Sequence, residues 1–207
     1  MAHAPARTKP HIRRLGLWLL AGSLALVAAL VLLGGAVLLA AFVLRERGAA
    51  EPMVPLRFFR SRAFSAANVT SFLQSFGMFG AIFLLAQFLQ VVQGYSPLEA
   101  GLRTLPWTGM PILVAPIAGM LSDRIGSRPL VVTGMGLMAV GIGWFALISS
   151  PTVAYSSQVP GLVVCGVGMS LYFAPIANLV LSTVKRKEEG KASGVNNAVR
   201  EVGGVFG

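Results

Sequence analysis

Charge is what this sequence has least of. Lys, Arg, Asp and Glu together make up 12% of the chain, about half the share found in a soluble globular domain. So little polar surface cannot clothe a water-soluble fold. The 55% hydrophobic content and mean hydropathy of +0.74 point to a chain whose main solvent is lipid. Cysteine is scarcer still: Cys165 stands alone inside an apolar run. That excludes an internal disulfide and a thiolate metal cluster, and leaves Cys165 as a small packing residue. Acidic residues number seven against seventeen basic ones, for a formal charge of +10. In a soluble protein this excess would suggest nucleic acid. Here the bases fall between apolar runs and form no single basic face, so no nucleic-acid partner is expected.

Within the apolar runs the shortage is sharper. Five runs are long enough to cross a bilayer, at Leu15–Leu44, Ala63–Val92, Leu102–Leu121, Leu130–Ile148 and Val159–Val184, and a sixth starts near Ala192. No Asp, Glu, Lys or His lies inside the five, and Arg103 sits only at an outer end. An ion-coupled carrier holds a titratable group at depth, where protonation can bias two access states. A membrane hydrolase needs an acid, base or metal ligands there. Neither set is present, so no catalytic residue, cofactor or metal site is expected. The expected fold class is all-α, a polytopic membrane helix bundle with the lipid bilayer as its first partner.

The charges that do occur assign the two faces. Lys and Arg number five between Arg45 and Arg62, one between Gln93 and Arg103, two between Asp123 and Arg128, none between Ser149 and Gln158, and four between Lys185 and Lys191. By the positive-inside rule, loops 45–62, 122–129 and 185–191 are cytoplasmic and the two alternate connections face outward. The N-terminal residues 1–14 break the pattern: with Arg45 inside, Arg7, Lys9, Arg13 and Arg14 would have to be translocated. Either this tail is not the natural continuation of the first helix, or that helix is inverted or interfacial. The first run spans roughly 45 Å at 1.5 Å per residue, too long for one upright helix and too short for two, so a tilted helix with an interfacial extension is expected.

Between the third and fourth runs lies Gly119-Met120-Leu121-Ser122-Asp123-Arg124-Ile125-Gly126-Ser127-Arg128, which reads as a tight charged hairpin at the inner face. Gly126 permits a positive φ there. Arg128 is a topogenic charge, and Asp123 is expected towards a buried side. On the second run, Asn68, Ser71, Ser75, Gln90 and Gln93 share about a third of the helix circumference, with Gln74 and Gln87 further to each side. This stripe can line an aqueous cavity or hydrogen-bond neighbouring helices. Asn178, one turn beyond Pro175, is expected to bond between helices. The third run carries Pro106, Pro111 and Pro116, each removing a backbone donor, so that helix is expected to be bent or locally opened. A bent helix suits a moving part and is equally compatible with close packing. Glycines 134, 136, 141, 143, 161, 166 and 168 read as surfaces for close helix approach.

The pattern Gly119-x-x-x-Asp123-Arg124-x-Gly126-x-Arg128 resembles the loop motif between the second and third helices of each half of the major facilitator superfamily, with Ser127 replacing a usual basic residue. The stretch PLRFFRSRAFSAANVTSFLQSFGMFGAIFLLAQFLQVVQGYSPLEAGLRTLPW, followed by APIAGMLSDRIGSRP and ASGVNNAVREVGGVFG, is similar to the C-terminal half of the fourteen-span drug:proton antiporters. The resemblance implies that 15–44 is the second extra helix between the halves, and that 63–207 is a partial C-terminal half reaching into its fifth helix. It implies a secondary transporter of the bacterial plasma membrane that exchanges amphiphilic drug-like compounds for protons by alternating access. Small-molecule substrate, protons and an N-terminal half outside this chain are the implied partners. A gating role falls on Gly119, Asp123, Arg124, Gly126 and Arg128, and a cavity-lining role on Asn68, Ser71, Gln74, Gln90 and Asn178. By itself the chain is expected not to transport. The alternative from another class is a small non-transporting membrane protein that acts as an assembly or interaction module.

Overall fold

A computed structural model describes residues 10–48 and 52–207. Arg7 and Lys9 of the basic tail lie outside the described residues. The chain divides into two compact units, residues 1–53 and 54–207. The first holds one helix, α1 (Pro10–Gly48), whose apolar stretch Ala29–Gly48 is long enough to cross a membrane. It starts five residues before the predicted Leu15 and runs past Leu44, because intrahelical hydrogen bonds continue through Arg45, Glu46 and Arg47 after the apolar run ends. At about 58 Å it exceeds the hydrocarbon core, so only part of it can sit in lipid.

The second unit is helical throughout its described elements. After a 3₁₀ turn at Leu56–Arg60, α2 (Arg62–Gln87) starts at an N-cap Ser61 and ends in a π-helical turn at Phe88–Val92. Then come α3 (Pro97–Arg103), α4 (Leu105–Thr108), α5 (Met110–Ile125), α6 (Ser127–Ile148), α7 (Tyr155–Leu181) and α8 (Glu189–Phe206). With α1, the stretches at Arg62–Val92, Leu105–Ile125, Ser127–Ile148 and Tyr155–Leu181 make five that are long and apolar enough to span. This is an integral membrane protein of the all-α class.

Two apolar cores stack along the second unit. One gathers Phe58, Phe64, Val131, Tyr172, Ile176 and Val195; the other gathers Met78, Trp107, Leu162 and Cys165. Large exposed side chains such as Ile112, Leu113, Val132, Val140 and Leu147 lie on the outer faces, as lipid-facing groups should. The two ends are tied differently. At one end Arg57 and Glu188 form an ion pair between the segments before α2 and before α8. At the other, Gln93 Nε2 donates to Val153 O at 3.1 Å and Tyr155 OH donates to Arg103 O at 3.0 Å. Two of the connections that charge counting groups together, those holding Arg57 and Glu188, thus meet.

The predicted ten-residue hairpin is not a loop. Helix α5 continues through Asp123 and Arg124 to Ile125, a single residue, Gly126, makes the reversal at φ 86° and ψ 159°, and α6 starts at Ser127. A backbone at that φ strains any residue with a Cβ, and glycine removes the strain. Asp123 is exposed, which corrects the buried-side position expected of it. Along the third run the helix is interrupted at Thr104 and Gly109, each two residues before a proline, while Pro116 lies inside α5. Both interruptions keep right-handed helical dihedrals, while the prolines two residues on lack a backbone donor.

Helices α6 and α7 approach closely at Gly134 and Gly168. A Cβ on Gly134 would stand 2.7 Å from Gly168 O, and one on Gly168 2.6 Å from Gly134 O. Gly134→Val should therefore destabilise the bundle by about 1–3 kcal/mol through overpacking. Gly136→Ala, on the same helix with nothing within 4 Å of its added carbon, should change stability by less than about 0.5 kcal/mol. Thermal unfolding in detergent measures both, and equal effects would contradict the glycine contact.

Candidate functional site

The polar groups of α2 converge on α7 and α8. Asn196 Nδ2 donates to Ser71 Oγ at 2.8 Å and to Asn68 Oδ1 at 3.3 Å, and Tyr172 OH donates to the same Ser71 Oγ at 3.1 Å. Asn68 Nδ2 in turn donates to Phe64 O at 2.9 Å. All four side chains are buried, and in an apolar interior each of these bonds replaces a solvation the lipid cannot supply. Of the two readings of the stripe, interhelical bonding is the one Asn68 and Ser71 adopt within this chain.

The remaining predicted residues scatter. Gln74 is buried one turn further along α2; its Nε2 meets Met78 Sδ at 3.5 Å and its Oε1 has no partner among the described residues. Gln90 is exposed at the rim of a hollow of about 260 Å³ between α2, α3 and α4. Gln93, on the same stripe, accepts from Gln158 Nε2 at 3.1 Å. Asn178 is exposed and makes no side-chain hydrogen bond among the described residues, which corrects the interhelical role expected of it.

A larger cavity of about 320 Å³ lies between α2, α4, α6 and α7, lined by Leu85, Phe88, Trp107, Phe145, Leu162 and Cys165 among others. None of the five polar residues predicted to line a cavity borders it. The sole nitrogen of the Trp107 side chain, Nε1, is buried there without an acceptor. Among the described residues no cluster of His, Cys, Asp or Glu could hold a metal ion.

At the end of the bundle carrying Tyr155, the Arg103 guanidinium is sandwiched between two rings, 3.8 Å from the Tyr95 centroid and 4.7 Å from that of Tyr155. Nearby, Ser96 and Glu99 form a reciprocal capping box at the start of α3. Hydrogen bonds from the Ser96 backbone and then its side chain, with Arg103 adding a smaller attraction, hold the Glu99 carboxyl below the ordinary glutamate range. At the Gly126 turn Asp123, Arg124 and Arg128 are exposed and form no ion pair among the described residues, while Ser122 and Ser127 hydrogen-bond across the turn at 2.9 Å. Gly119 has open space around it.

Sequence reasoning missed Tyr172, Asn196, Trp107 and Arg200. Asn196 and Arg200 stand one turn apart in the last polar-rich run, a spacing that puts them on one face of α8. Tyr172 carried no signal beyond one hydroxyl in an apolar run.

These features define a polytopic helical membrane protein with buried polar contacts between helices. The sequence profile of the Major Facilitator Superfamily matches residues 14–207, and the chain belongs to that superfamily, whose members are transporters and not enzymes. It is similar to the multidrug resistance protein Stp of Mycobacterium tuberculosis, 34% identical over 168 residues, covering 81% of this chain and 31% of that protein. The tetracenomycin C resistance and export protein of Streptomyces glaucescens is 34% identical over 169 residues, covering 81% and 31%. The lincomycin resistance protein of Streptomyces lincolnensis is 36% identical over 176 residues, covering 85% and 36%. The chain thus spans about a third of the length of the curated relatives it matches.

Two outcomes follow from this geometry. Asn196→Leu removes two interhelical bonds and should cost about 1–2 kcal/mol, against no measurable loss for Asn197→Leu on the exposed face, read by thermal unfolding. Because the carboxyl of Glu99 titrates below its unfolded value, the cap contributes fully above about pH 4.3 and is lost as pH falls through the lower folded value. Hydrogen exchange at the first turn of α3 should therefore accelerate as pH falls below about 4.3 once corrected for intrinsic rates, and Glu99→Gln should abolish that dependence.

Proposed function

We propose that this chain is the C-terminal-half segment of an exporter that moves amphiphilic, drug-like compounds outward in exchange for protons by alternating access. The observation that carries the reading is the superfamily match over residues 14–207, together with relatives whose names record drug resistance and export. A segment corresponding to the rest of those relatives would supply the other cavity wall and the titratable coupling site that the five apolar runs lack. The protein would reside in a bacterial plasma membrane, with loops 45–62, 122–129 and 185–191 cytoplasmic.

Asp123 supports a gating role for the motif of Gly119, Asp123, Arg124, Gly126 and Arg128. It is an exposed carboxylate without an ion-pair partner, held in the last turn of α5. There the helix dipole opposes it by about 0.3–1 kcal/mol. A helix N-terminus or cation outside this chain would relieve that opposition in one access state and release it in the other. The interrupted run with Pro106, Pro111 and Pro116 leads directly into this turn, so α3–α5 is the element suited to move. Gln74 is the residue of the α2 stripe best suited to meet a substrate, since its Oε1 is unclaimed.

The test replaces the corresponding third of the tetracenomycin C exporter with this chain and measures tetracenomycin-dependent proton flux in inside-out vesicles. Flux is expected from the chimera, from neither piece alone, and reduced at least about tenfold by Asp123→Ala. A membrane-inserted chimera without flux, or flux from this chain alone, would refute the reading.

A further inference from the structure

Charged residues of the second unit sit at helix ends or in connections, except Arg200 and Glu201 in α8. Arg200 is half-buried. Its guanidinium carbon lies 4.8 Å from the Phe173 ring centroid, and it is within electrostatic reach of Tyr172. Its depth follows from its neighbours. Phe173 lies about 12 Å before the end of α7 at Leu181, and Arg200 about 16 Å beyond the start of α8 at Glu189, at 1.5 Å per residue. Those ends share the face of the bundle where Arg57 meets Glu188, so both residues lie about 12–16 Å in from that face, comparable with half the thickness of a hydrocarbon core of about 30 Å.

A cation at that depth is costly and calls for a counter-charge. Arg200 forms no ion pair or hydrogen bond among the described residues, and its Nε is buried without an acceptor. Glu201 does not serve, since adjacent positions on a helix point about 100° apart and its side chain is exposed. One turn away, Asn196 and Tyr172 direct their donors to Ser71 and Asn68, and neither of their oxygens accepts from Arg200 among the described residues. The guanidinium, a planar fork of donors suited to a two-oxygen anion, is left over. The Phe173 ring offsets part of the charge and fixes the fork on one side.

We propose that Arg200 is a binding site at membrane depth for the carboxylate of an amphiphilic ligand, seated between α7 and α8 with its apolar body in the bundle. The ligand's identity as a transported compound rests on the export reading; the site itself does not.

The test uses the 207-residue chain in lipid nanodiscs and two fluorescent amphiphiles of matched shape, 11-(dansylamino)undecanoic acid and its methyl ester. The acid should bind at least about tenfold more tightly than the ester. Arg200→Gln should bring the ratio close to one while leaving ester affinity unchanged, which also shows that the variant is folded. Arg200→Lys should keep part of the preference. Equal binding of acid and ester to the unaltered chain, or an acid preference that survives Arg200→Gln, would overturn the proposal. An acid preference that holds while the vesicle flux fails would leave the site standing and refute only the export reading.

Discussion

The second unit depends on the burial of α7. Of its most apolar window 44% is buried, against 17–22% for the other candidate spans of that unit, and it touches α2, α4, α5, α6 and α8. Lipid offers no hydrophobic drive for helices to associate, so this arrangement has to come from close packing and from polar groups that lipid cannot satisfy. Glycine supplies the first on the α6 side, where Gly134 faces Gly168 and Gly141 faces Gly161. Tyr172 supplies the second on the α2 side through Ser71. A single helix thus uses dispersion contacts on one face and hydrogen bonds on another.

That division of labour also explains where the unsatisfied groups are. Gln74 Oε1, Trp107 Nε1 and Arg200 Nε are buried without partners among the described residues, although the Asn68–Ser71–Asn196–Tyr172 network next to them is well bonded. Buried polar atoms are normally paired. These three atoms are the exceptions among the described residues. Asp123 and Asn178 are exposed and make no side-chain ion pair or hydrogen bond among the described residues.

Much of this was legible in the residues. The five spans and the helical class follow from run length and apolar content, because the bilayer imposes a length of about 20 apolar residues. The glycine motif was legible too, and Gly126 does make the reversal. What could not be read was how far the helices extend: α1 and α5 run on past their apolar segments, since hydrogen bonding within a helix does not stop where hydropathy does. Nor could the stripe on α2 be divided into bonded and unbonded members, because that depends on which residues of α7 and α8 arrive opposite each one.

By itself, then, the sequence determined the solvent, the number of spans and the superfamily, all of which are set by composition and local pattern along the chain. Only the tertiary structure decided that Ser71 would accept from Tyr172 and Asn196, that Asp123 would end a helix and not sit in a loop, and that Arg200 would lie beside Phe173. These are pairings between residues far apart in the chain. Helix register and crossing geometry fix them, and no local pattern encodes either.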